Sequence, residues 1–262
     1  MLATIDDEAP IAVEPTPDGV RVFFATPLAR GRAAIKVAGS DPDASCTPID
    51  VPDEGWAERS QSALDPVVVG KLMIASPDAD TRAFAGPVIR ILPSMGFGTG
   101  HHASTRLMLE LLQRQRVTGV SLLDVGTGSG VLALAARVLG ASTVVAIDVD
   151  PDALQSARVN FALNREDQIV LVEADVAGAP RRLGRTFDVV LANLTGAMIS
   201  RYAGELTRLA GPGGCVTVCG FQQDEAPAVA AALEAAGWTP GEQAEEDGWV
   251  AMATSPTTST TR

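Results

Sequence analysis

The chain has 262 residues, 46% hydrophobic and 20% charged, with a formal net charge of −12 and a pI of about 4.6. That length holds one large domain, or a main domain with a smaller appendage. The acidic balance argues against sequence-independent nucleic-acid binding, which draws on lysine and arginine. An odd count of three cysteines makes no disulfide framework. No apolar run reaches the roughly 18–20 residues that span a bilayer. The acidic start "MLATIDDEAP" is not a signal peptide, so a cytoplasmic protein with no membrane partner is expected.

Residues 1–19 are rich in Pro, Asp and Glu and read as loosely ordered. "VRVFFATPL" and "RAAIKVAG" read as two short strands, residues 39–66 as loop, and "PVVVGKLMIASP" and "GPVIRILP" as two further strands. Residues 1–92 therefore form a β-rich appendage and linker, a candidate for substrate recognition. From about residue 100 the pattern alternates. "STRLMLELLQRQ" places Leu107, Met108, Leu111 and Leu112 on one helical face, with Ser104 or Thr105 as its cap. "VSLLDVG", "TVVAIDVD", "IVLVEADV", "FDVVLANL" and "CVTVCGF" are buried strands, and "WVAMATS" is a final one. "GVLALAARVLG", "DPDALQSARVNFALN", "AMISRYAGELTRLA" and "EAPAVAAALEAAG" are helices between them. Such alternation means right-handed βαβ units and a mostly parallel sheet, an α/β Rossmann-like fold over residues 93–255. Residues 256–262 read as a polar tail.

Two glycine clusters stand out. In "LLDVGTGSGVLALAA" a strand turns into a helix through Gly126, Gly128 and Gly130. Ligands of open parallel sheets bind beyond the carboxyl ends of the strands, where this turn lies. Asp148 ends the next strand, 22 residues after Gly126. A carboxylate there accepts hydrogen bonds from a ribose diol, while Asp150 caps the following helix. Asp175, after the third strand, is placed either to receive an adenine amine or as a solvated turn residue. The dinucleotide pattern G-x-G-x-x-G is broken, because Val131 stands where the third glycine belongs. Asp124 would repel a pyrophosphate and hold an ammonium. Both features favour S-adenosyl-L-methionine over a nicotinamide cofactor. Cys215 and Cys219 read as core thiols, and the adjacent His101 and His102 lack the partners of a metal site. No metal is expected.

These motifs resemble those of class I S-adenosylmethionine-dependent methyltransferases. The earlier cluster, "PSMGFGTGHHASTRLMLELL", resembles more narrowly the signature of the PrmA family, which methylates ribosomal protein L11. That family follows its glycine turn with Thr-His-Pro-Thr-Thr; here His101-His102-Ala103-Ser104-Thr105 matches at His102 and Thr105 and differs at three positions. "GWAERSQSALDPVVVGKLMIASPDAD" resembles the family's linker. The resemblance implies a seven-stranded sheet and cofactor contacts at Thr105, Gly126, Asp148 and Asn193; from the residues themselves, Gly128, Asp124, Phe97 and Asp175 complete the expected site. The resemblance implies a protein N-methyltransferase in which Asn193 and nearby carbonyls orient a neutral amine, between apolar walls at Phe97 and Leu194. Lysine side chains or an N-terminal amine of ribosomal protein L11 would be the acceptor. The "GFGTG" turn would fold over the cofactor. His102 either bonds the cofactor carboxylate or bonds within the turn, and His101 is exposed. A different protein lysine or a small molecule is the alternative substrate; a nicotinamide-dependent oxidoreductase and a non-catalytic cofactor-binding module are disfavoured.

Overall fold

In a computed structural model of the protein the chain divides into two units, Met1–Glu54 and Gly55–Arg262. The structure describes residues 12–16, 19–23, 27–40, 44–49, 65–92 and 101–257. In the first unit, β1 (Ala12–Thr16) pairs antiparallel with β2 (Gly19–Phe23), and α1 spans Pro27–Ser40. Two expectations change here. Residues 12–16 are a strand within the segment read as loosely ordered, and "RAAIKVAG" is helix. Ala33 and Val37, four apart, are its buried pair, while Ile35 between them is 75% exposed. That is helical spacing, and the alanines favour it.

The second unit begins with β3 (Val67–Val69), β4 (Leu72–Ala75) and β5 (Val88–Arg90). The run read as one strand is a β3–β4 hairpin, and β5 joins β4 in parallel. These strands fall within the second unit, Gly55–Arg262. Leu72, Ile74 and Ile89 are fully buried against the main core.

Helix α2 (Ala103–Arg114) leads into the large sheet. Its elements are β6 (Ser121–Val125), α3 (Val131–Val138), β7 (Thr143–Asp148), α4 (Pro151–Leu163), β8 (Ile169–Glu173), α5 (Ala179–Leu183) and β9 (Phe187–Asn193). Then follow α6 (Gly196–Arg201), α7 (Ala203–Leu209), β10 (Ala210–Gln222), α8 (Ala226–Ala235), β11 (Trp238–Glu246) and β12 (Trp249–Pro256). The seven strands lie in the order β11-β12-β10-β9-β6-β7-β8. The five from β10 to β8 are parallel, and the β11–β12 hairpin closes one edge antiparallel.

Alternation sets the two faces. Leu122, Val144, Ala146, Val189 and Leu191 point into the layer shared with α2 and α3. Leu123, Val125, Val145, Ile147, Val190 and Ala192 point into the other, with Ile199, Leu206 and Leu233. A parallel sheet covered on both faces needs such continuous apolar runs. The helix expected over "AMISRYAGELTRLA" is two, broken at Tyr202, whose backbone leaves helical geometry. Two asparagines one turn apart, Asn160 on α4 and Asn164 at its C-cap, tie the small sheet to the large one. Asn164 bonds both backbone groups of Arg90, at 2.8 and 2.6 Å. Asn160, fully buried, accepts from the Leu92 N–H at 2.8 Å and donates to the Ser129 carbonyl at 2.9 Å.

Candidate functional site

Where β6 ends, the chain is stapled to the end of β7. The N–H groups of Gly126 and Thr127 donate to the Ile147 carbonyl at 2.9 and 3.0 Å. The Gly128 N–H donates to Asp148 Oδ2 at 3.0 Å. The other oxygen, Oδ1, accepts from the Asp150 N–H at 3.1 Å, and Asp150 Oδ1 accepts from the Asp152 N–H at 2.9 Å. Asp150 is thus the N-cap of α4, with Pro151 in the first turn. Gly126 sits at φ +70°, and a Cβ there would come within 2.6 Å of Leu194 Cδ2. Only glycine allows both the left-handed backbone and that close approach.

Asp124 stands one layer deeper. Strand alternation turns it into the layer below α2 and α3, and it is 1% exposed. Its Oδ2 accepts from the Thr127 hydroxyl at 2.7 Å, and its Oδ1 is buried with no hydrogen-bond partner. Burial pushes its carboxyl up to about 6; the Thr127 hydroxyl acts against this. Asp124 does not line the cleft described below. Its hydrogen bond to Thr127 supports the glycine loop from beneath.

The end of β9 carries Asn193. Its neighbour β10 is irregular between Cys219 and Phe221, and Gly220 lies between them at φ +103°. A Cβ on Gly220 would stand 2.3 Å from the Leu194 carbonyl oxygen and 3.1 Å from Asn193 Oδ1. Two acceptor oxygens therefore lie close to one point that only a glycine leaves free of side chain. The other end of the Asn193 amide, Nδ2, donates to Ser104 Oγ at 3.2 Å. Ser104 Oγ is 2.8 Å from His102 Nδ1, and the Ser104 N–H donates to the same nitrogen at 3.3 Å. His102, and not Ser104 or Thr105, is the N-cap of α2. Its ring meets Trp249 edge to face, with centroids 4.6 Å apart. The bond from the Ser104 N–H to His102 caps α2; the "GFGTG" turn, within which the sequence allowed His102 a structural bond, lies outside the described residues. His101 is half-buried rather than exposed, and its Nε2 donates to the Asp65 carbonyl at 2.9 Å.

These elements border a cleft of about 650 Å³ at the carboxyl edge of the sheet. Gly126, Gly128, Asp148, Asp175, Asn193 and Leu194 line it. Val149, 65% exposed, and Met198 and Tyr202 add apolar surface that the sequence reading did not single out. Asp175 borders the cleft, but its Oδ1 accepts from the Gly178 N–H at 2.6 Å, so one oxygen caps a turn. Thr105 is 2% exposed, and its backbone N–H closes the first turn of α2 on the His102 carbonyl at 3.0 Å; its side chain does not border the cleft. Phe97 and the "GFGTG" turn lie outside the described residues. Among the described residues no three His, Cys, Asp or Glu side chains are grouped to hold a metal ion. No described helix is long and apolar enough to cross a membrane.

The residues present fit an adenosyl amino acid. The Asp148 carboxylate has acceptor capacity beyond its two backbone bonds, as a ribose diol needs. Val149 and Met198 offer apolar surface to a base, and the bare glycine backbone allows close contact. Ser104 and Gly220 were missed. The only signal for Gly220 was a glycine inside a strand, a mark of a bulge or a close approach.

Comparison with known proteins agrees with this geometry. Residues 28–256 match the family model described as ribosomal protein L11 methyltransferase (PrmA). The chain is 38% identical over 206 residues to a ribosomal protein L11 methyltransferase of Pelotomaculum thermopropionicum, across 78% of this chain and 66% of the relative. It is 36% identical over 207 residues to that of Thermus thermophilus, across 78% of both. Among solved structures, the ribosomal protein L11 methylase of Lactobacillus delbrueckii subsp. bulgaricus superposes with a TM-score of 0.68 at 26% identity, over 74% of this chain and 99% of that one.

Proposed function

Because the chain belongs to the ribosomal protein L11 methyltransferase (PrmA) family, we propose that it transfers methyl groups from S-adenosylmethionine to amines of ribosomal protein L11, on lysine side chains or at the N-terminus. One observation carries the reading. A single cleft holds at one end a carboxylate braced on the glycine loop, Asp148 at 3.0 Å from the Gly128 N–H, and at the other the Asn193 amide beside the Leu194 carbonyl.

When bound, S-adenosylmethionine supplies a methyl group on a sulfonium, an activated electrophile. The rest falls to the chain. Asp148 accepts the ribose hydroxyls while its backbone bonds keep the glycine loop in register. Gly126 and Gly128 present bare backbone to the cofactor, and Asp175 and Val149 border its base. Asn193 Oδ1 and the Leu194 carbonyl accept the N–H groups of the incoming amine, leaving its lone pair directed at the methyl carbon. The Leu194 side chain keeps water from the amine, which favours its neutral form over ammonium. Asp124 and Thr105 act from behind, on the loop and on α2, and Phe97 forms part of the cofactor site. The N-terminal residues 1–92, with the separate first unit among them, recognise the protein substrate. The enzyme works in the cytoplasm, without direct contact to nucleic acid.

The test is methyl transfer from labelled cofactor to purified L11 and to a cell lysate, with mass spectrometry of the labelled bands. Labelled L11 lysines or N-terminus are expected. Label on another protein alone would replace the substrate and keep the chemistry. A thermal shift with S-adenosylhomocysteine and none with NAD is expected as well. The reverse would overturn the reading.

A further inference from the structure

An asparagine amide has two ends of nearly equal shape and opposite hydrogen-bonding character, and its terminal torsion is broad. For methyl transfer the difference is large. With Oδ1 toward the amine, the amide accepts an N–H and leaves the lone pair free. With Nδ2 toward it, the amide donates into the lone pair and blocks the nucleophile. We propose that Ser104, polarised by His102, is the positioning residue that holds the Asn193 amide with its oxygen toward the substrate amine. This rests on the reading of Asn193 given above.

The direction of each bond follows from the donors. The Ser104 backbone N–H can only donate, and it points at His102 Nδ1 from 3.3 Å. That nitrogen therefore carries no proton and is an acceptor. The Ser104 hydroxyl, 2.8 Å from the same nitrogen, donates to it. The lone pairs of Oγ then remain for the third contact, and only the NH₂ end of Asn193 satisfies them; Nδ2 is 3.2 Å away. A hydroxyl free to turn could instead donate to the amide oxygen of Asn193 and so accommodate the flipped amide. His102 removes that option. Its ring is held as the N-cap of α2 and by the edge of Trp249. Ser104 itself is 5% exposed, so water does not compete for the contact. The opposite end, Oδ1, is left beside the Leu194 carbonyl at Gly220.

The test compares Ser104→Ala, Ser104→Thr, Asn193→Ala and the Ser104→Ala/Asn193→Ala double variant. Each is assayed for kcat and for the Kd of S-adenosylhomocysteine. Ser104→Ala should lower kcat by about 10- to 100-fold with Kd changed by less than about threefold, because misplacement of one polar group by an ångström costs about that much. Ser104→Thr keeps the hydroxyl and should restore most of the rate. In the double variant the Ser104 change should cost nothing further, since the amide it positions is gone. Equal losses from Ser104→Ala with and without Asn193 would make Ser104 merely structural and overturn the proposal. So would an Ser104→Ala kcat within threefold of the parent while Asn193→Ala is strongly impaired. Asn193→Ala turning over normally with cofactor bound would instead overturn the underlying role of Asn193. If Ser104→Ala does not fold, His102→Ala removes the polarising acceptor and is read by the same cycle.

Discussion

Gly220→Ala probes the point where β9 and β10 meet the amine site. Glycine is at φ +103°, a backbone region that alanine occupies at a cost of about 1–3 kcal/mol. The new methyl carbon would stand 2.3 Å from the Leu194 carbonyl oxygen, and a carbon–oxygen contact needs about 3.3 Å. One backbone or the other must retreat by about 1 Å. Leu194 is bonded through its N–H to the Cys219 carbonyl at 2.9 Å, so the retreat carries Asn193 and Leu194 out of register with β10. Turnover should fall about 100-fold, the scale of a 1 Å misplacement. The melting temperature should fall by about 2–10 °C. Binding of S-adenosylhomocysteine should weaken much less than turnover, because Gly128, in the loop after β6, and Asp148, at the end of β7, feel the clash only through the Leu194 side chain packed on Gly126. Gly213→Ala is the control. It has φ +74° and nothing within 4 Å of its Cβ, so it carries strain without collision, and turnover should stay normal. The assays are steady-state methyl transfer, isothermal titration and thermal melting. Turnover of Gly220→Ala within threefold of the parent would refute the claim that the Leu194 carbonyl and Asn193 need this bare position.

Asp148→Ala should weaken S-adenosylhomocysteine binding by about 100- to 1,000-fold, since hydrogen bonds to a charged group contribute about 1.5–3 kcal/mol each; titration calorimetry showing less than tenfold would remove the carboxylate from the ribose site. Asp124 is raised by burial from 3.8 to about 6. Folding thus favours its protonated form, whose contribution is complete below pH 3.8 and is lost as pH rises through 6. Above that the ionised group costs up to about 3 kcal/mol. Asp124→Asn cannot ionise, so in urea titrations its stability relative to the parent should grow between pH 4 and 7; a difference that stays flat would contradict the burial argument. Burial pushes the Cys219 thiol up to about 12, so iodoacetamide at pH 8 should label exposed Cys46 in the native protein and reach Cys219 only after unfolding, by peptide mass spectrometry.

Much of this was legible in the sequence because a parallel sheet writes its strands as apolar runs and its ligand edge as the residues that end them. Gly126, Asp148 and Asn193 each close such a run, and a right-handed α/β winding puts all three ends on one edge. Strand β11 was illegible because "WTPGEQAEE" is polar: it lies at the sheet edge, and Trp238 is its buried anchor. The helix α1 reads as a strand because Ile35-Lys36-Val37 mimics a period of two. The burial of Asp124 could have been read, since a residue between Leu123 and Val125 in a doubly covered strand must face a core layer. Ser104 and Gly220 could not. Their roles arise from contacts 89 residues apart in one case and from a bulge paired across two strands in the other.

Leu194 links the two halves of the site. Its side chain fills the space left by Gly126, and its carbonyl fills the space left by Gly220. The cofactor loop after β6 and the amine-facing turn after β9 are thus set against one residue, from opposite sides, by two glycines that each lack a Cβ for that purpose. A shift of Leu194 toward either would open the other. The distance between the loop that cradles the cofactor and the oxygens that orient the amine is therefore fixed by packing at a single leucine. In-line transfer depends on that separation, because the methyl carbon must lie between donor and acceptor within a few tenths of an ångström. The tight fit also explains why rigid strand ends, rather than a mobile loop, carry Asn193.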